Sequence, residues 1–325
     1  MQFITLISVV DFFSISIKLG LIISIMVIGV HISYRILNCA DLGIEGIFPL
    51  GGCVCLLLMH FGVSPLVATL VSIIVGGIGG LITALLHTKL KIPMILSGII
   101  TLTGFYSINL LILGFSNSGS NQSITRASLS IKSGTSLFYK LVPLFNSWGM
   151  KQVYSLTLST IIIMLIILAI VLVGIYYFFG TEIGMSIRAT GDNPQMAKAQ
   201  GINTDHMIIV GLILSNALIG LAGALFAQNM GTVSVVNGKG MIVVGLASII
   251  IAEAIFGRRS YKLQLISIVC GTVIYYLMRQ LSIVLNLSEF LDLASAILIV
   301  IILSYPLVKE KVHAHRQKRK GDANA

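Results

Sequence analysis

TLSTIIIMLIILAIVLVGIYYFF (157–179) and MIIVGLILSNALIGLAGALFAQN (207–229) flank the polar stretch GTEIGMSIRATGDNPQMAKAQGINTDH (180–206). A helix crosses a bilayer with about 20 mostly apolar residues. Each flanking run therefore reads as a span, and the stretch between them is far longer than a turn needs to be. Neither run alternates with period 2, which argues for helices and against a transmembrane barrel.

The rest of the chain repeats this pattern. Further apolar runs fall near 14–34, 64–86, 93–114, 240–257, 263–285 and 289–308, with a shorter one at 47–60. Hydrophobic residues make up 56% of the 325 and charged ones 10%, against about 25% charged in soluble domains. Mean hydropathy is +1.01, and no Asp or Glu occurs from Gly46 to Thr181. The expected fold is an all-α polytopic membrane protein of about 8–9 transmembrane helices, one of them short or broken. Asp41, Glu45, Pro49, Gly51 and Gly52 surround that short segment. Irregular backbone at membrane depth must be buried in protein or line a wet cavity, so a broken or re-entrant element is expected there. No basic cluster precedes the first apolar run and no small-residue cleavage pattern follows it, so the N-terminus does not read as a cleaved signal.

Charge sets the expected orientation. The tail after Tyr305, the loops 87–92 and 257–262, and the 180–206 stretch carry 13 of the 21 Lys and Arg residues. By the positive-inside rule these segments face the cytoplasm. The opposite loops carry five: Arg126, Lys132, Lys140, Lys151 and Lys239. The expected division is a transmembrane domain over 1–308, with an external loop at 116–156 and a cytoplasmic loop at 180–206, then a basic cytoplasmic tail over 309–325. The net charge of +10 fits orientation and anionic lipid without a nucleic-acid partner. Within the external loop, 116–136 reads as flexible, being rich in Ser, Asn and Gly. Residues 137–150, with Lys140 and Trp148, read as an interfacial segment.

Inside the polar stretch, Asn193 can cap a helix that starts at Pro194, and Gly201 can supply a left-handed stop. That gives about two turns, introduced by a Gly191-Asp192 turn and preceded by a helical extension from Glu182 to Thr190 with Arg188 on its surface. So short a helix is unstable alone and must pack against something. The alternative is an amphipathic connector resting on headgroups.

The blocks GMSIRATGDNPQMAKAQGINTDHMIIVGLILSNALIGLAGALFAQ, GKGMIVVGLASIIIAEAIFG, RILNCADLGIEGIFPLGG, LLHTKLKIPMILSGI and YSINLLILG together resemble the membrane subunit of branched-chain amino acid/ribose-type ABC importers. They resemble more closely the tryptophan/tyrosine-type permease subfamily, with a departure at Asn38-Cys39-Ala40. The resemblance implies a permease without its own engine, which couples to a cytoplasmic ATP-binding cassette subunit through a short helix. By position, Arg188, Gly191, Asp192, Asn193, Pro194, Ala199 and Gly201 would form that element. It also implies an extracytoplasmic solute-binding protein, a second permease copy, a bacterial plasma-membrane location, and an aromatic amino acid or other small organic solute. Gly238-Lys239-Gly240 lacks the spacing and the Ser/Thr of a Walker loop, so ATP is expected to bind on another chain. A homodimer is the expected form, and the small-residue pairs Gly76/Gly80, Gly211/Ser215 and Gly220/Ala224 suit close helix contact, either within the chain or between copies.

Candidate pathway residues are the polar groups within spans: Tyr106, Asn109, Ser215, Asn216, Gln228 and Glu253. Buried amides either tie helices together or line a wet cavity. Glu253 lies close to Arg258 and Arg259 in sequence, and an ion pair near the end of its span is expected. Asp41 and Glu45 would either orient the entry to the short segment or face the cavity. The six histidines and four cysteines show no metal-ligand spacing, no nucleophile has a base at a recognisable spacing, and neither an enzyme nor a cofactor is expected. The rival reading is an ion- or proton-coupled secondary transporter or channel, but the midplane carboxylates and histidines that would mark one are sparse.

Overall fold

One facing pair of glycines, Gly76 and Gly220, decides how the central helices meet. In the computed structural model, which describes residues 9–116, 128–130, 134–147, 152–257 and 260–284, α3 (Pro65–Thr88) lies along α9 (Thr204–Met230) as the most extensive helix pairing. A Cβ on Gly76 would collide with the Asn216 carbonyl, and one on Gly220 would meet the Ser72 carbonyl at 2.5 Å. Close approach of this kind replaces the hydrophobic drive that lipid cannot supply. The small-residue spacing at Gly76/Gly80 therefore serves packing within the chain. Ile74, Ile78 and Ile82 of α3 point outward, while Ser72, Gly76, Gly79, Gly80 and Ala84 are buried.

The other helices assemble around α9. α1 (Val9–Val30), continued by a π-helical turn His31–Ile36, and α2 (Ile44–His60) both lie against it. α4 (Met94–Ser116) packs on α2, and α6 (Gln152–Phe178) on α1. α10 (Met241–Phe256) and α11 (Tyr261–Val284) pair with each other and with α1. α7 (Glu182–Asp192) and α8 (Pro194–Ala199) cap one end of the bundle. Among the described residues, seven helical segments are long and apolar enough to cross a membrane. They coincide with the runs read from sequence, except that 289–308, with the tail 309–325, lies outside the described residues. The four cysteines are free thiols.

The short segment is a continuous helix with Pro49 inside it, and the break lies before it. Residues 37–43 are non-helical and mostly buried, with Asn38 in the left-handed region at φ 55°. Their polar groups find partners in protein: the Cys39 amide donates to the Ser33 carbonyl (2.8 Å) and the Gly43 amide to Asp41 Oδ1 (2.8 Å). Asn216, midway along α9, donates from Nδ2 to Asp41 Oδ2 (2.9 Å). α2 therefore starts part-way up the bundle.

At the end opposite α7, the described residues 128–130 form a strand where the composition of 116–136 suggested a flexible loop. Ser128–Ser130 (β1) pairs antiparallel with Thr232–Ser234 (β2). Residues 137–147 form a 3-10 turn (Leu137–Leu141) and α5 (Val142–Ser147). Phe138, Val142 and Phe145 are buried, so this segment docks on the bundle through its aromatic and apolar side chains. Trp148 lies outside the described residues.

Candidate functional site

Two helices begin beside each other within the bundle, and the space at their N-termini is the candidate site. After α9, Gly231 (φ 70°) turns the chain into β2 and a 3-10 turn, Val235–Gly238. The Ser234 amide, donating to Asn237 Oδ1 (2.8 Å), steadies that turn. Gly238 lies so close to the Glu45 carbonyl that any Cβ would overlap it. Gly240, with φ 73°, starts α10, and its amide donates to Glu45 Oε1 at 3.1 Å. Glu45 thus stands in the first turn of α2 and caps α10, where a carboxylate is favoured by both helix dipoles.

A cavity of about 440 Å³ opens here, lined by Glu45, Pro49, Leu102, Tyr106, Asn109 and Lys239 among others. That is within the range of small-molecule sites, about 300–1,000 Å³. Asn109 is fully buried; its Nδ2 donates to the Gly46 carbonyl (3.0 Å), while its Oδ1 has no partner. Tyr106 is 41% exposed.

Of the six pathway residues read from sequence, the cavity brings together Tyr106 and Asn109. Three others tie elements together. Ser215 Oγ donates to the Gly29 carbonyl (2.7 Å), joining α9 to α1. Asn216 holds Asp41, and Gln228 Nε2 donates to Thr69 Oγ1 (2.7 Å) while its Oε1 accepts from the Leu137 amide. Gln228 also lines a separate pocket of about 160 Å³ with Lys18 and Ser136. Glu253 lies at the far end of α10 and bonds Arg35 through both oxygens, at 2.9 Å each. Sequence reasoning had pointed to Arg258 and Arg259, which are outside the described residues. It also did not place Lys239 on the cavity wall and left Glu45 undecided. The one available signal was an ionisable residue bordering an apolar run.

The 180–206 stretch forms the second part of the site. Asn193 Oδ1 accepts from the Gln195 and Met196 amides (3.1 and 3.0 Å), and Gly201 adopts φ 82°. Both are as the sequence reading had them. Gly191 and Asp192 instead form the last turn of α7. Gly191 presses on the Ile36 carbonyl at the π-helical end of α1. Arg188 is folded inward, with its guanidinium 3.9 Å from the Tyr261 ring centroid and 5.3 Å from that of Phe179. In α8 only Ala197 is buried, and Met196 is 59% exposed. Lys91 meets Asp205 at 3.1 Å, so the loops around 91 and 205 share this end of the bundle.

A polytopic helical bundle with a cavity at the N-termini of two helices and a capped surface helix at one end is the frame of a multi-pass membrane protein. The chain belongs to the family described as the permease component of branched-chain amino acid transport systems, which it matches over residues 13–304. It is a family of transport subunits, not of enzymes. The chain is 35% identical over 286 residues, 88% of each chain, to a tyrosine transport system permease protein of Clostridioides difficile. It is 29% identical to a probable branched-chain amino acid transport permease protein LivH of Methanocaldococcus jannaschii, over 62% of this chain and 61% of the relative. It is 26% identical to an autoinducer 2 import system permease protein LsrC of Yersinia pseudotuberculosis, over 59% of this chain and 48% of the relative. No solved structure matches.

Proposed function

We propose that this chain is the membrane subunit of an ATP-driven importer and carries a small organic solute, an amino acid first among candidates, through the cavity beside Glu45. The observation that carries the reading is α8, a six-residue helix capped by Asn193 and anchored by one buried alanine, which leaves its outer face free. A helix this short has no stability of its own, and its exposed face fits a cleft in a separate ATPase. The positively charged loops support a cytoplasmic position for this end and for the tail. The ribbon end then faces outward, towards a solute-binding protein, and a second copy of the chain completes the pathway.

The contacts suggest how a push on α8 reaches the cavity. α7 bears on α1 through Gly191 and on α11 through Arg188. The end of α1 holds one end of α10 through Arg35–Glu253, and the other end of α10 rests on Glu45. α10 thus acts as a lever between the ATPase side and the solute.

The test is purification of the tagged chain from native membranes in mild detergent. A stoichiometric ATPase and an exported binding protein are expected, and uptake in proteoliposomes should require ATP. Recovery of the chain alone, with uptake driven by an ion gradient, would replace this reading with a secondary transporter.

A further inference from the structure

Where the π-helical end of α1 meets α7 and α11, a separate cavity of about 300 Å³ opens, away from Glu45. The polar groups on its wall are His31, Arg35, Arg188, Asp192, Tyr261 and Gln264. His31 is only 1% exposed, and neither of its ring nitrogens has a partner among the described residues. Buried polar atoms are nearly always partnered, so a fully buried imidazole without a hydrogen bond calls for one. It stands on the π-helical turn His31–Ile36, which also carries Arg35, and such turns occur often at functional sites.

The two arginines differ in what they have left to give. Arg35 spends Nε and Nη2 on Glu253, which leaves Nη1. The ion pairs among the described residues are Arg35–Glu253 and Lys91–Asp205; the Arg188 guanidinium instead lies over the rings of Tyr261 and Phe179. Those rings fix its position without neutralising its charge. Gln264, in the first turn of α11, adds an amide, and that helix end favours a negative charge. The opposing charge on the wall is Asp192, which is exposed to solvent.

We propose that this cavity binds a phosphate group, with the Arg188 guanidinium as main donor, Arg35 Nη1 and the Gln264 amide beside it, and the His31 ring N–H at its most buried point. Donors arriving from three helices suit an anion with several oxygens better than the two of a carboxylate, and guanidinium groups match phosphate geometry. The site lies apart from the solute path and does not depend on the importer reading. A phosphate group can reach it as the headgroup of an anionic lipid or free in solution. An occupied site joins α1, α7 and α11, so binding should raise the unfolding temperature.

The experiment uses the full chain in lipid nanodiscs and reads the shift in thermal unfolding. In phosphatidylcholine discs, inorganic phosphate is compared with chloride at equal ionic strength. Other discs replace part of the phosphatidylcholine, whose phosphate is already paired with choline, by phosphatidylglycerol. A rise with inorganic phosphate and not with chloride supports a site for free phosphate; a rise with phosphatidylglycerol alone supports a headgroup site. Each variant is compared with its own midpoint in chloride and phosphatidylcholine, so a change in basal stability does not mask the result. Arg188→Gln and Gln264→Glu should each weaken binding about tenfold or more, the first by removing a donor and the second by placing a carboxylate there. Asp192→Asn takes an exposed carboxylate off the wall and should tighten binding, a gain that damage to the fold does not produce. No rise with either source, an equal rise with chloride, or rises unchanged in all three variants would each overturn the proposal.

Discussion

At Gly51, Gly76 and Gly223 a single methyl group would strike the backbone of a neighbouring helix, whereas at Gly104 and Gly174 it would meet nothing within 4 Å. Overpacking costs about 1–3 kcal/mol, and Gly to Ala within a free helix gains about 0.5–1 kcal/mol. Thermal unfolding in detergent should therefore separate the two groups: Gly76→Val lowers the midpoint, and Gly104→Ala leaves it level or raises it. Asp41 offers a second contrast. Truncation to alanine leaves the buried Gly43 amide without its acceptor and Asn216 Nδ2 with only the Leu212 carbonyl, at about 1–3 kcal/mol for an unsatisfied group. Asp41→Ala should unfold earlier than Leu66→Ala, whose side chain is 49% exposed; equal midpoints would mean that water reaches the 37–43 loop. Asn193, the cap of α8, was legible from sequence because capping is local. Asp41's partner was not, because Asn216 lies 175 residues away.

In the proposed coupling route, the elements that carry force are α7, α8 and α10. Asn193→Ala removes the cap, at about 1 kcal/mol, and Pro194→Gly loosens the first turn. Each should uncouple ATP hydrolysis from uptake while membrane insertion and expression stay normal; normal uptake with both changes would remove α8 from the coupling route. At the other end of the lever, Arg35 and Glu253 form a two-pronged pair that is part-buried, at 32% and 21% side-chain exposure. Because Glu253 has further interactions, single substitutions do not isolate the pair. A double-mutant cycle with Arg35→Ala and Glu253→Ala does, and a coupling energy of about 1–3 kcal/mol is expected. A value near zero would mean that the ends of α1 and α10 move independently. Helix boundaries were legible at this scale: the apolar runs gave the spans, and Asn193, Pro194 and Gly201 gave α8. The β1–β2 ribbon was not, since three-residue strands in a Ser-rich segment have no period to detect.

For the whole molecule, the prediction is assembly. Small-residue spacing at Gly76/Gly80 is consumed by α9 within the chain, so the proposed second copy would meet this one through other faces. Crosslinking from single cysteines placed on the exposed stripe Ile74, Ile78 and Ile82, compared with Tyr106 beside the cavity, should give dimers from the cavity side. Dimers from the α3 stripe alone would place the two-fold axis elsewhere. The class of the protein, its spans and its surface helix were determined by the sequence alone, because hydropathy, charge bias and capping act over neighbouring residues and need no partner. The tertiary structure decided the site. Glu45 and Gly240 stand 195 residues apart and Arg35 and Glu253 218 apart. Whether a polar residue within a span ties two helices, as Ser215 and Asn216 do, or faces a cavity, as Asn109 does, depends on which helix happens to lie opposite. Composition is the same in both cases, and only packing distinguishes them.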